Sequence, residues 1–419
     1  MAFVEISDID EFQAINTDLV GDYIVVNDID GSGTSSWNGG EGFVPIGGNE
    51  VGDDFSGDVY GSGYSISGIY INRPESTTQG VFGRCSGCFV GDLHLVNVDI
   101  NGEVGVGGFC AYLLGTIKGC SSSGSVSAFE AGTDEVSGRR VGGFVGWMRG
   151  GRAEYCISSA NVSCDGSRLG GFVGEQDGGI IENCYAAGDV SFQGGLYAGG
   201  FAGFLTDRDF DEATVNKCYA IGAITTGVDA NETYVGGFIG ARSGSAVMSD
   251  NFFDTNTTGQ NSDGFSGDAT GKTTTEMQDI STYNDTATTG LDNVWDIAED
   301  VNWTTEVWSI DDGNDYPKLE ATSTQVPDVI GETESDAETQ IEGERLFVGT
   351  KDQDFEQDTP GGEVIVQSPT ANTWVVAGSE VDITISVDGV YVNINGTAVH
   401  CPVYVNVNGT AELADVQKN

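Results

Sequence analysis

The 419-residue chain is short of positive charge. Lys and Arg together number 16 against 65 Asp and Glu, a formal net charge of −49 at pH 7. Phosphate backbones are gripped by cationic surfaces, so this deficit excludes a nucleic acid partner, and it disfavours an anionic membrane surface for the same reason. Lysine is scarcest, confined to Lys118, Lys217, Lys272, Lys318, Lys351 and Lys418, while the acids spread along the whole chain. Such a density of like charge strains a fold at modest ionic strength; in molar salt the Debye length falls to about 3 Å and the strain is relieved. The composition points to a hypersaline milieu, with an ordinary acidic, calcium-loaded exported protein as the alternative.

Histidine is nearly missing. With only His94 and His400, far apart in sequence, a Ser-His-Asp or Cys-His nucleophile has almost nothing to work with. Glycosidase chemistry needs two carboxylates at a set separation, but among 65 acids no pair stands out. The expectation is a protein without catalytic residues, glycan cleavage being the enzymatic alternative. No apolar run approaches the ~18 residues of a membrane span, so membrane insertion is excluded. The stretch Met1–Asp8 lacks the basic and apolar regions of a secretory signal. Either a signal lies outside this numbering, or the protein reaches the outside without one, as a virion component released by lysis does. The nine cysteines are an odd number and do not read as a dense disulfide framework.

Glycine is abundant, at 64 residues, but lacks the strict period of collagen, and 20 Phe, 14 Tyr and 6 Trp argue against disorder. The tripeptide Gly-Gly-Phe recurs at Gly107–Phe109, Gly142–Phe144, Gly170–Phe172, Gly199–Phe201 and Gly236–Phe238, at offsets of 35, 28, 29 and 37 residues. Each copy continues to a second short strand ending at Cys120, Cys156, Cys184 or Cys218, with degenerate copies around Phe82 and Met248–Phe252. An apolar residue at the same place in every copy stacks on its neighbour about 4.8 Å along an axis, so the repeats predict a parallel β-solenoid. The Phe column and an Ile/Val/Met column line its core, Gly pairs are expected to supply positive-φ corners, and the insertions Phe129–Arg140 and Asp207–Thr214 become edge loops. Parallel stacking also holds the repeated cysteines wider than the ~3.8 Å Cβ separation a disulfide prefers, which predicts a ladder of buried free thiols. Cys85-x-x-Cys88 is half a zinc pattern without its second half, and reads as a local disulfide or a plain turn.

The best copy, Gly170-Gly-Phe-Val-Gly174 followed by Ile181-Glu-Asn-Cys-Tyr-Ala-Ala-Gly188, resembles the GLUG-motif repeat family. The resemblance, spread over roughly residues 1–320, implies a β-helix of the kind found in surface adhesins and carries over no catalytic residue. Caps are expected at both ends: a capping box at Ser7–Asp10 opening a helix to about Ile15, and Thr273–Glu276 opening another, followed by Trp295, Trp303 and Trp308, read as cap packing ahead of a sugar-stacking platform.

After a linker over 321–325 the pattern changes. Val326-Pro-Asp-Val-Ile-Gly331, a helical stretch near Ser335–Gly343, Val364-Ile-Val-Gln-Ser-Pro369 and Val381–Val387 read as β-α-β-β over 326–388 and resemble a PASTA domain. The resemblance implies a wall-sensing or spacer module; with Arg345 and Lys351 its only bases, a spacer or attachment role is the better reading. The tail, 389–419, repeats at an offset of 13: Val390-Tyr-Val-Asn-Ile-Asn-Gly-Thr397 and Val403-Tyr-Val-Asn-Val-Asn-Gly-Thr410. Alternating apolar residues ending in Asn-Gly predict hairpins with type I′ turns. These units look like those at the ends of phage tail and adsorption proteins.

The fold class expected is therefore all-β: a β-solenoid with short capping helices, a small α+β PASTA-like domain and a β-hairpin module. The function expected is a structural or adhesive virion protein, a tail fibre or surface projection, of a virus infecting a halophilic host. A cell-surface adhesin of a halophilic archaeon is the alternative and a polysaccharide-degrading spike the third reading. Its partners would be other virion proteins or further copies of itself through the C-terminal modules, and a host-surface glycan or glycoprotein. No cofactor is expected beyond calcium, for which Asp207, Asp209 and Asp211 alternate as in a binding loop while lacking its sixth-position Gly and twelfth-position Glu. Seven Asn-x-Ser/Thr sequons occur, at Asn161, Asn231, Asn256, Asn284, Asn302, Asn395 and Asn408. They matter only if the chain meets a glycosylation machinery.

Overall fold

The structure, a computed structural model, describes residues 3–48, 52–128, 139–165, 168–192, 196–207, 212–227, 234–264, 269–299, 307–319, 323–343, 346–354, 359–371, 373–376, 380–387, 389–394, 397–407 and 410–414. The chain divides into two compact units, Met1–Glu320 and Ala321–Asn419. No helix among the described residues is long and apolar enough to cross a membrane.

The first unit is a parallel β-solenoid with three faces, formed by sheets of 13, 12 and 5 strands. One coil shows the pattern: Arg168–Gly170 lies on the small face, Val173–Asp177 and Gly179–Glu182 on the second, Tyr185–Ala186 and Val190–Phe192 on the third. Every strand pairs in parallel with its counterpart one coil away, so equivalent residues stack. The Phe column forms as the repeats predict. Rings of Phe109, Phe144, Phe172, Phe201 and Phe238 stack at centroid separations of 4.8, 4.9, 4.8 and 4.7 Å, all buried. Burying a Phe is worth about 1.5–3 kcal/mol, and each stacked pair adds about 0.5–1.5 kcal/mol. Ile117, Ala153, Ile181, Val215 and Met248 make the second column in register.

The glycines of Gly-Gly-Phe do not make the corners. None has positive φ. They are glycines because backbone approaches too closely for a side chain: a Cβ on Gly171 would sit 2.2 Å from the Gly200 carbonyl oxygen of the next coil, and one on Gly170 would sit 2.1 Å from that of Val173 in its own coil and 2.7 Å from that of Phe201 in the next. The left-handed corner falls instead on the residue before the cysteine column, where Asp92, Gly119, Tyr155, Asn183, Lys217 and Asp250 have φ between 51° and 66°. For the non-glycine members this conformation costs energy, and stacking offsets it. The corner N–H groups from Asp92 to Lys217 donate to the next coil, as from Tyr155 to Glu182 at 3.2 Å and from Asn183 to Asn216 at 3.1 Å.

Both ends are covered. Helix Ile9–Ala14 starts one residue later than the sequence suggests: Asp8 is the N-cap, and the Glu11 carboxylate accepts from both the N–H and the hydroxyl of Ser7. Glu11 reaches back past the N-cap to Ser7, so the helix start is capped by Asp8 and the expected Ser7–Asp10 box does not form. Phe12 on this helix continues the ring column toward Phe43 and Phe82. At the far end the Asp263 carboxylate accepts from the N–H groups of Phe238, Ile239 and Ala269, ending the sheet edge. The Thr273/Glu276 capping box opens helix Thr274–Met277 as expected.

In the second unit, helix Glu334–Gly343 packs with strands Phe347–Asp354, Glu380–Ser386 and Val364–Ser368 around Val326, Val329, Ile341, Val364, Val381 and Ile383. Two expectations are corrected. Ser323–Gln325, placed within the 321–325 linker, forms a strand paired with Trp374–Val376. Val326–Gly331 is not a strand: it buries Val326 and Val329 as an irregular segment whose Val329 N–H donates to the Gln367 side chain, while the unforeseen strand is Phe347–Asp354. Beyond it, Gly389–Ile394, Thr397–Val407 and Thr410–Ala414 form an antiparallel meander. Its pairs Ile394↔Thr397 and Val407↔Thr410 flank the two Asn-Gly sites, which themselves lie outside the described residues.

Candidate binding surface

No catalytic constellation was expected, and of the acids named as calcium candidates only Asp207 lies among the described residues. Asp207 is engaged in a loop contact: its carboxylate accepts from the Ser245 hydroxyl and from the Ser245 N–H at 2.9 Å, which holds its pKa below the usual carboxylate range. Asp209 and Asp211 lie outside the described residues, as do Trp303, Asn372 and most of the two insertions. His94, which opens the strand His94–Gly102, shares a 2.9 Å hydrogen bond with Ser121. Burial lowers its pKa against the opposing pull of Asp28. Cys85 and Cys88 are joined by a disulfide.

The cysteine column is a ladder of free, buried thiols. Each sits just after the left-handed corner, where one main-chain N–H per coil points at the next coil's side chain. Cys184 Sγ accepts from Cys156 N–H at 3.3 Å, and Cys120 Sγ accepts from Leu93 N–H at 3.4 Å. The last rung is Asn251, whose Oδ1 accepts from Cys218 N–H at 2.9 Å. Burial pushes the thiols of Cys120, Cys156 and Cys184 well above their usual range, so they are inert as nucleophiles.

Chemistry gathers on the outer surface of the first two faces. Stacking brings Arg84, Tyr112, Trp147, Glu175, Phe204 and Ala241 into one outward column. Beside it Arg140, Arg168, Tyr197 and Tyr234 form a second, on the strands that lead into Gly-Gly-Phe. Five of the chain's ten arginines fall between 139 and 168. The Arg84 and Arg140 guanidinium groups lie 3.9 Å from the ring centroids of Tyr112 and Trp147, and Arg168 lies 5.3 Å from that of Phe204. Glu175, 1% exposed, pairs with Arg140 and, at 3.0 Å, with Arg168. Further along, Tyr197 stacks on Tyr234 at 5.7 Å and meets Phe204 at 4.8 Å. Leu196 and Tyr234 are each 43% exposed there. The buried Trp147 indole N–H finds no acceptor among the described residues. The sequence signal for this surface was a residue at a fixed offset before each Gly-Gly-Phe, read only as part of the repeat.

The third face carries Tyr185, Tyr219 and Phe252 outward, and here the C-terminal cap folds back. Trp295 and Trp308 pack on Tyr219 with Met277, Tyr283 and Ile310, all buried, as the packing reading of those tryptophans had it. They seal a flank, not only an end: Trp308 Nε1 donates to Asn183 two coils back, and Trp295 Nε1 donates to the Asp250 carbonyl.

The first unit is thus a glycine-rich parallel β-solenoid with an arginine–aromatic flank, and the second begins with a compact α+β module. Residues 165–191 match the GLUG motif and residues 324–387 match the PASTA domain. A stretch of 145 residues is 34% identical to halomucin of Haloquadratum walsbyi (strain DSM 16790 / HBSQ001), covering 32% of this chain and 2% of that protein. The chain therefore corresponds to a small fraction of that relative's length. Among solved structures it is similar to an immunoglobulin A1 protease candidate from Bacteroides ovatus, at 18% identity and a TM-score of 0.41 over 59% of this chain and 76% of that one. A likeness that remote has no bearing on function.

Proposed function

We propose that the protein is an extracellular, non-catalytic binding rod at the surface of a halophilic archaeon, holding a glycan or glycoprotein along its arginine–aromatic flank. The observation that carries this reading is the gathering of arginines and stacked rings on one lateral surface of a chain with net charge −49. In molar salt, attraction between exposed charges is screened within about 3 Å. A ligand is then held by ring contact and by charge-assisted hydrogen bonds at close range, which exposed tyrosine and planar arginine supply. The likeness to halomucin, added to the acidic composition, supports the archaeal cell surface ahead of the virion that sequence reasoning alone put first. The Asn-Gly meander favours a virion projection as the second reading. Mass spectrometry of purified cell envelopes and purified virions separates the two. In either setting the second unit serves as the attachment or self-association module.

The test is binding of envelope polysaccharide in about 3 M NaCl, conditions in which only close-range contacts survive screening. Tyr234→Ala, at an exposed position, should abolish retention while leaving the melting temperature unchanged. Undiminished binding would remove the flank from the proposal, and released reducing ends would replace it with a glycan-cleaving one. A chain ending at Glu320 should still bind polysaccharide yet fail to join its envelope or particle.

A further inference from the structure

We propose that Asn284 is a glycosylation site, the acceptor of an oligosaccharide from a lipid-phosphate donor, and that Asn161 and Asn256 are not. The inference rests on the extracellular reading, because only an exported chain meets such a donor. Transfer requires the Asn amide and the Ser/Thr hydroxyl two residues on to be presented together and unengaged. In the transfer the amide nitrogen forms a bond to the anomeric carbon, the carbon–oxygen bond to the lipid phosphate breaks, and one amide proton is given up.

The described sequons differ in this respect. Asn161 sits inside strand Ile157–Cys164, and its side-chain oxygen accepts the Asp189 N–H of the next coil at 2.9 Å. Asn256 lies in helix Thr255–Thr258, its side-chain oxygen accepting the Thr274 N–H at 3.0 Å. The hydroxyl its sequon needs, on Thr258, is buried and donates to the Asp254 carbonyl at 2.6 Å. Using either sequon means unpicking the solenoid or its cap.

Asn284 is built the other way. It is the exposed last residue of helix Ser281–Asn284, followed by Asp285 in extended conformation and an exposed turn. Its side-chain amide makes no hydrogen bond to the described residues, nor does the exposed Thr286 hydroxyl. The segment is nonetheless fixed in place: Tyr283 beside it is fully buried against Trp295, and the Asp285 carboxylate accepts from Ala287 N–H at 2.9 Å. The acceptor tripeptide is therefore displayed on a rigid base, and a glycan there projects from the cap without displacing any packing. Asn231, Asn302, Asn395 and Asn408 lie outside the described residues.

The experiment is expression of the full chain behind an export leader in a glycosylating halophilic host, with site occupancy read by mass spectrometry of peptides. The expected result is a glycan on the peptide holding Asn284 and bare peptides for Asn161 and Asn256. Thr286→Ala should lose that glycan and Thr286→Ser keep it, with neither changing the melting temperature. A bare Asn284, or glycan on Asn161 or Asn256, overturns the assignment. Because the leader exports the chain whatever its natural address, that failure would leave the cell-surface reading standing.

Discussion

The two flanks of the solenoid, one open and lined with arginine and the other covered by the tryptophan cap, bury acidic groups by different means. On the arginine flank, Glu175 is held by Arg140 and Arg168, and Asp177 lies 4.0 Å from Arg149. On the tryptophan flank Asp254 and Asp250 make no ion pair with the described residues. Asp254, fully buried, accepts from the N–H groups of Asn256 and Thr257 and from the Tyr316 hydroxyl at 2.6 Å. Asp250 likewise accepts from the N–H groups of Asp292 and Asn293. A chain with 16 basic residues cannot match 65 acids with cations. Main-chain amides are donors available at every residue, and a carboxylate accepting two or three of them is well satisfied. Amides therefore hold the buried acids of the tryptophan flank, and arginine is concentrated on the other.

The largest effect should come from removing the acid between two arginines. Glu175→Ala removes the buried carboxylate that Arg140 and Arg168 share, and losing one partner of a buried pair costs about 3–5 kcal/mol. Both guanidinium groups keep some solvent contact, with side-chain exposures of 17% and 18%, so the lower end is expected. Denaturant melts in high salt measure it; a loss too small to detect would make the pairing incidental. Asp254→Ala should come next. It frees two helix N–H groups and a tyrosine hydroxyl, at about 1–3 kcal/mol for groups left unsatisfied, and should loosen the cap before the Phe column. Hydrogen exchange of residues 255–258 against 170–173 checks the order, and simultaneous opening of both would show that cap and column are one cooperative unit.

The smallest effect is alkaline and confined to the tryptophan flank. Burial raises the hydroxyl pKa of Tyr219 and Tyr283 well above the usual value, and burial together with the bond to Asp254 raises that of Tyr316 to about 12. An unfolded tyrosine loses its proton near pH 10, so below that value the stabilisation is complete. Above it the unfolded chain releases protons that the folded chain retains, and stability falls until the folded value is passed. Tyrosinate absorbance should therefore rise together with loss of the cap, between about pH 10 and the about 12 of Tyr316. Gradual ionisation with the cap intact would mean that Tyr316 is not coupled to Asp254.

Much of this was legible in the chain. A ring at the same place in five copies can only be buried by stacking copies, so Phe109 through Phe238 announced the solenoid, its approximate coil length and the buried thiols beside it. The Asn-Gly pairs likewise announced the meander, because local turn chemistry sets the hairpin register. The corner was misassigned because a glycine required by crowding and one required by positive φ read alike; Tyr155, Asn183 and Lys217 adopt the left-handed conformation because neighbouring coils hold them there.

The sequence by itself therefore determined what repeats can determine: the parallel coil, its core columns and the small modules that follow, since periodic burial and turn preferences are local facts. Only the tertiary structure decided which outward residues meet. Arg140 and Glu175 belong to different coils, as do Tyr197 and Tyr234, and Trp308 reaches Asn183 across 125 positions. Such contacts depend on how coils stack and how the cap folds back, and no window of sequence contains both partners.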